Sequence, residues 1–76
     1  TFEIQSPLEG KFYLTKNTSE TAIKVGDVLS EGALIGYVEA MKTFNAIRTD
    51  KAGKVVQIVK NTGEDVEEDE VLIIMQ

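Results

Sequence analysis

Val25-Gly26-Asp27-Val28-Leu29-Ser30-Glu31-Gly32-Ala33-Leu34-Ile35 returns 37 residues later as Thr62-Gly63-Glu64-Asp65-Val66-Glu67-Glu68-Asp69-Glu70-Val71-Leu72. The Gly-acidic pair lands on a Gly-acidic pair, Leu29 on Val66, Glu31 on Glu68, and Leu34-Ile35 on Val71-Leu72. Upstream, Gly10-Lys11-Phe12 returns as Gly53-Lys54-Val55 at an offset of 43. Each half therefore reads strand, Gly turn, strand, Gly-acidic turn, acidic corner, apolar strand. Two β-halves of one pattern predict a pseudo-twofold domain around a single shared core, because neither half can bury an apolar face alone.

The two offsets locate two further features. The first half is six residues longer between Phe12 and Gly26, and the surplus falls in about Leu14–Thr21. That stretch reads Leu-Thr-Lys-Asn-Thr-Ser-Glu-Thr, polar and turn-rich, and is expected to protrude as a loop. The halves join at Ala40-Met41-Lys42-Thr43, read as a tight hairpin between the last strand of one half and the first of the next.

The remaining sequence fits an all-β chain. Short β-branched and aromatic runs at Phe2–Gln5, Gly10–Leu14, Ala22–Val25, Leu34–Val38, Asn45–Arg48, Lys54–Val59 and Val71–Met75 read as strands. Gly26-Asp27, Glu31-Gly32, Ala52-Gly53 and Thr62-Gly63-Glu64 read as turns, with Gly10, Gly26, Gly53 and Gly63 expected at positive φ. Many short strands at close turn spacing mean a sandwich or small barrel. Val28, Leu29, Leu34, Ile35, Val38, Val55, Ile58, Val66, Val71, Leu72 and Ile74 are the core candidates.

Composition narrows the function. Residues 1–76 are one small domain with room for one core. The chain lacks His and Cys, which removes the usual general base, the thiol nucleophile, the common zinc ligands and any disulfide. A net charge of −5 argues against nucleic acid as a partner. No apolar stretch approaches 18 residues, so no membrane-spanning segment is expected, and no charged-then-apolar leader marks the chain for secretion. The chain opens at Thr1 without an initiator Met, as a piece of a longer polypeptide would. No calcium-type Asp-x-Asp-x-Asp-Gly loop exists, so no metal site is expected. A binding or carrier module fits better than an enzyme.

Lys42 is the one residue whose position suggests chemistry. A lysine at a hairpin tip, between Met41 and small residues, has no ion-pair partner in its own neighbourhood. It is a poor general base but a serviceable acceptor for an activated acyl group. A solvated surface lysine is the plain alternative.

Glu39-Ala40-Met41-Lys42 resembles the attachment site of biotin carboxyl carrier domains, whose pattern is Ala-Met-Lys-Met, usually after Glu. The resemblance covers essentially the whole chain. Ser6-Pro7 with Gly10-Lys11-Phe12-Tyr13 is similar to the family's opening strand, and Val25-Gly26-Asp27 with Glu31-Gly32 to its turn before the attachment hairpin. Asn45, Ile47, Asp50, Lys51 and Gly53 resemble the stretch that follows it. Thr43 departs from the pattern, standing where a second Met is common.

The resemblance implies a flattened β-sandwich or barrel of two four-stranded sheets, the biotinyl/lipoyl hammerhead. It implies covalent biotin on Lys42, with Glu39, Ala40, Met41 and Thr43 forming the attachment hairpin. The implied partners are a biotin protein ligase, a biotin carboxylase and a carboxyltransferase, in the cytoplasm or the organelle housing the carboxylase. Biotinyl domains of bacterial acetyl-CoA carboxylase carry a thumb where Leu14–Thr21 lies, which points to that host in fatty acid synthesis and to Thr18 as a contact for the biotin ring. Another biotin-dependent carboxylase or decarboxylase, a lipoyl carrier, and an unmodified module of the same fold are the alternatives. Asp50-Lys51-Ala52 spells the core of a lipoyl site, but Lys51 lies inside the second half rather than at the junction, and reads as a structural residue. The acidic run Glu64, Asp65, Glu67, Glu68, Asp69, Glu70 reads as a solvated corner or as a docking surface for a basic partner.

Overall fold

The computed structural model describes residues 1–76. Eight strands follow one another: β1 (Phe2–Gln5), β2 (Gly10–Tyr13), β3 (Val28–Leu29), β4 (Leu34–Ala40), β5 (Thr43–Arg48), β6 (Gly53–Ile58), β7 (Asp65–Val66) and β8 (Val71–Met75). No helix is long and apolar enough to cross a membrane. The strands form two antiparallel four-stranded sheets, ordered β1-β8-β6-β3 and β5-β4-β2-β7.

Exchanging β1 with β5, β2 with β6, β3 with β7 and β4 with β8 turns one sheet order into the other. Each sheet thus takes two strands from each half. The same exchange holds residue by residue at the two sequence offsets. Phe2 faces Met75 in one sheet and Asn45 faces Val38 in the other; Gln5 faces Val71 and Arg48 faces Leu34, each just after a register shift. The corners match as well. Asp69 N–H donates to the Ser6 carbonyl at 2.7 Å, and Gly32 N–H donates to that of Thr49 at 2.8 Å. The buried Ser6 hydroxyl donates to Leu8 O at 2.6 Å, and the buried Thr49 hydroxyl donates to Lys51 O at 2.6 Å. Both hydroxyls are therefore satisfied where they would otherwise destabilise the interior.

The core lies between the sheets: Ile4, Phe12, Ile35, Val38, Ile47, Val55, Val66, Leu72, Ile73 and Met75. Full burial of such side chains stabilises by roughly 1.5–3 kcal/mol each. The halves fill equivalent space differently. The first uses Phe12 beside Gly36, whose added Cβ would lie 2.8 Å from the Phe12 ring; the second uses Val55 and Ile73 at the same two places. A large-plus-small pair is exchanged for two medium residues, which conserves volume.

Several sequence expectations need correction. Ala22–Val25 is not a strand, although Ile23 does pack on the core. Two-residue strands form instead at Val28–Leu29 and Asp65–Val66. Val28 is 80% exposed, because only one residue of so short a strand can face inward, and that one is Leu29. Ile74 is only partly buried, on the outer face of its sheet. Ile4, Phe12, Ile47, Ile73 and Met75 belong to the core but are missing from the candidate set. Gly53 opens β6 and Gly10 opens β2, and neither has positive φ. They are needed because a neighbouring strand end passes too close for a side chain. A Cβ at Gly10 would meet the Glu39 carbonyl and lie 2.7 Å from Val38 Cγ1; one at Gly53 would lie 2.8 Å from the Gln76 carbonyl oxygen.

Candidate functional site

The junction of the halves is the β4–β5 hairpin, paired from Leu34↔Arg48 to Ala40↔Thr43 and closed by Met41 and Lys42 alone. Their φ values are +52° and +64°. Positive φ at both central residues is the type I′ signature, the two-residue turn whose twist matches that of paired strands. Asn-Gly would adopt it with little strain; a Met or Lys in this region costs about 1–2 kcal/mol. The paired strands hold it in place, and Asn45 reinforces it by donating from Nδ2 to Val38 O at 3.1 Å and to Thr43 O at 3.2 Å. The result is a rigid tip. Met41 is 96% exposed, and Lys42 is exposed and takes part in no ion pair. An unpaired, projecting amine on a fixed backbone suits a modifying enzyme that must seat one lysine and ignore the rest.

Glu39 and Ala40 end β4 and Thr43 begins β5, so the quoted tetrapeptide and Thr43 do form the hairpin end. Beside it lies an open depression lined by Glu9, Gly10, Lys11, Glu39, Ala40, Met41, Asp65, Val66 and Glu67. Four carboxylates against one ammonium make this face acidic. Glu64 and Glu70, by contrast, are engaged within the domain. Lys60 Nζ is 2.8 Å from Glu70 and 3.9 Å from Glu64; Glu70 also accepts from Glu67 N–H, and Glu64 from Asn61 N–H, both at 2.9 Å. The Lys60 hydrogen bond, then the Glu67 amide, hold the Glu70 carboxyl below its ordinary range.

The six surplus residues lie in the loop between Tyr13 and Gly26, and this loop folds back on the sheet rather than standing free. Leu14 and Ile23 pack on the core, and Leu14 N–H donates to Thr62 Oγ1 at 3.0 Å. Glu20 Oε1 accepts from Lys16 N–H at 2.8 Å, and Glu20 Oε2 accepts from the Tyr37 hydroxyl at 2.5 Å. The Tyr37 hydroxyl, then the Lys16 amide, lower the Glu20 pKa; the same contact, followed by burial, raises that of Tyr37. Thr18 is exposed in this loop and makes no side-chain hydrogen bond; its neighbours Asn17 and Ser19 bond to each other.

Tyr37 also meets Phe44 edge-on at 6.0 Å, and Tyr13 meets Phe44 at 5.4 Å. Sequence reading passed over this Tyr13–Tyr37–Phe44 cluster and Glu20. A signal did exist: the repeat places Val56 and Ile74 opposite Tyr13 and Tyr37, so both tyrosines fall in the half that carries the extra loop. Lys51 lies beyond the end of β5 opposite the hairpin, exposed, with Nζ 4.4 Å from the Phe2 ring centre.

Residues 2–75 match a family model described as biotin-requiring enzyme, of the biotin/lipoyl type. The chain is 40% identical over 74 residues to the biotin carboxyl carrier protein of acetyl-CoA carboxylase 1, chloroplastic, of Arabidopsis thaliana, covering 96% of this chain and 26% of that protein. It is 40% identical, again over 74 residues, to the biotin carboxyl carrier protein of acetyl-CoA carboxylase of Haemophilus influenzae, covering 96% and 48%. The chain thus spans a quarter to a half of the length of these relatives. Among solved structures, the urea carboxylase of Kluyveromyces lactis superposes with a TM-score of 0.80 at 27% identity, over 99% of this chain and 6% of that one. An aspartoacylase family protein from Mesorhizobium loti shares the fold, with a TM-score of 0.73 at 22% identity. With a family match that runs through all eight strands, the chain belongs to the biotin-requiring enzyme family of biotin/lipoyl domains.

Proposed function

We propose that this domain accepts biotin on Lys42 and serves as the carboxyl carrier of a biotin-dependent carboxylase, acetyl-CoA carboxylase before others. The supporting observation is the unpaired Lys42 amine on a two-residue I′ turn at the junction of the pseudo-twofold halves. The relatives named as carriers of acetyl-CoA carboxylase support the choice of host. The urea carboxylase likeness favours, as a second reading, another biotin-dependent carboxylase.

Deprotonated Lys42 Nζ attacks the acyl carbon of an adenylate held by a biotin protein ligase, forming an amide and releasing AMP. One positive charge is lost, so the net charge moves from −5 to −6. When bound, biotin supplies a ring nitrogen able to hold a carboxyl group. The domain's own contribution is placement. The strained turn and Asn45 fix where the arm begins, and the arm's free torsions let it reach a biotin carboxylase and a carboxyltransferase in turn at high effective concentration. The carrier is not catalytic alone. The acidic face beside the hairpin attracts partners with a basic surface. Glu39, Ala40, Met41 and Thr43 are the surface a ligase would meet first, and Thr18, exposed in the extra loop, is the candidate contact for the biotin ring. The host's compartment, cytoplasm or organelle, is the domain's own.

Avidin capture and mass spectrometry after expression with a biotin ligase test the assignment. Wild type should gain one biotin and Lys42→Arg none, because the guanidinium stays protonated and cannot act as the nucleophile. A biotin adduct on Lys42→Arg, or lipoate on the wild type, would remove this function.

A further inference from the structure

Tyr37 lies in the middle of β4 with its ring on the outer face of the sheet, beside Phe44, yet only 6% of its surface is exposed. The extra loop covers it. Lys16 Nζ sits 5.6 Å from the ring centre, and the buried hydroxyl has one hydrogen-bond partner, Glu20. The Glu20 carboxylate also accepts from Lys16 N–H, so a single side chain closes the loop on itself and fastens it to β4. The opposite face offers an internal control. There the equivalent of Tyr37 is Ile74, the equivalent connection is shorter, and no such contact exists. From Tyr37 the contact passes through Phe44 to the hairpin end, since Phe44 adjoins Thr43 and pairs with Glu39.

We propose that Glu20 is a positioning residue, a latch that through Tyr37 holds the Leu14–Thr21 loop against the hairpin sheet, so that a group carried on Lys42 moves beside a fixed wall instead of a loose loop. The second clause rests on the function proposed above; the latch itself does not. The hydroxyl must be protonated to donate, and the two bonds, one on each carboxylate oxygen, are strongest with Glu20 ionised; the other charged groups facing the pair are Lys16 of the loop and Arg48 of β5.

Backbone 15N relaxation of the unmodified 76-residue domain reads the latch directly. In Tyr37→Phe, which removes only the hydroxyl, the heteronuclear NOE of Asn17–Glu20 should fall to values typical of a flexible loop. The Thr43 and Phe44 amides should shift while those of Val55 and Leu72 stay in place. Glu20→Gln should do the same, and the double variant no more than either single one. Acidification should loosen the wild-type loop, and Glu20→Gln should lack that titration; a contact that merely adds stability would not make loop order follow one carboxylate. In the ligase-modified protein, the loop amides should differ from those of the unmodified form, and Tyr37→Phe should at least halve that difference.

A loop that stays rigid in Tyr37→Phe overturns the latch whatever Lys42 carries. A loosened loop with the modification-dependent shifts intact overturns the positioning role. A wild-type protein without a biotin adduct overturns the proposed function and leaves the relaxation result on unmodified protein to decide the latch.

Discussion

Two carboxylates act inside the domain, and both respond to pH with the same sign. Glu20 and Glu70 each accept two hydrogen bonds, and each has its pKa pushed below the ordinary carboxylate range. A depressed pKa contributes stability that is fully present above the unfolded value, near 4.3, and is lost as pH falls through the folded value. Tyr37 works in the opposite sense. Its raised pKa gives stability present below about 10 and lost above it, so the Glu20–Tyr37 contact holds between the carboxylate and phenol ranges. Urea titrations from pH 6 to pH 3 should show falling stability, and a Glu20→Gln plus Glu70→Gln variant should be weaker at pH 6 but show a flatter decline. Equal slopes would mean that neither pair matters to folding. Lys51→Arg tests the choice between lysines. It should still take one biotin, because Lys51 is exposed over Phe2 and lies beyond the end of β5 opposite the hairpin; loss of the adduct would show that residue 51 shapes the attachment surface.

At the scale of elements, the repeat made the long strands and their pairing readable, because each long strand recurs at a constant offset with its turn residues. The short strands were not readable. Val28 and Asp65 pair through backbone alone over two residues, too few for alternation to mark which side faces in. Ala22–Val25 looks like a strand by composition, but its Ile23 is only partly buried, packed against the core from a segment that forms no strand. The position of Lys42 at the tip of the junction hairpin was legible from the repeat; the Glu20–Tyr37 contact was not, since it joins a loop with no counterpart to a strand 17 residues away. Gly10 shows how strand packing can mimic a turn signal. Gly10→Ala should destabilise by about 1–3 kcal/mol, as overpacking does, because the Glu39 carbonyl and Val38 Cγ1 occupy the space. An unchanged denaturation midpoint would mean that the strand ends can part without cost. The corner at Asp69 behaves oppositely. Asp69 has φ +70°, where its repeat partner Gly32 has φ +84° with open space around it. Asp69→Gly should therefore stabilise by roughly 0.5–1 kcal/mol, the left-handed strain relieved less the added freedom of the unfolded chain. Destabilisation would point instead to a contact by the Asp69 carboxylate that offsets its strain.

The whole molecule is one cooperative object because its halves are interlaced rather than stacked. Each sheet mixes its origins: β1 and β3 of the first half flank β8 and β6 of the second, and β5 and β7 of the second flank β4 and β2 of the first. Cutting the chain at the hairpin would leave the first half with only the β2–β4 pairing and the second with only β6–β8. Two-strand remnants with an open apolar face are marginal at best in water. The hairpin that carries Lys42 is thus also the single covalent link between the two interlaced halves, which explains why it is short and strongly paired. Peptides spanning residues 1–41 and 42–76 should each give a disordered circular dichroism spectrum and no cooperative thermal transition, whereas the intact chain unfolds in one step with the same midpoint by fluorescence of Tyr13 and Tyr37 and by far-UV signal. If either fragment melted cooperatively alone, the shared core would not be the source of stability. Attachment at Lys42 would then need only half of this fold to present it.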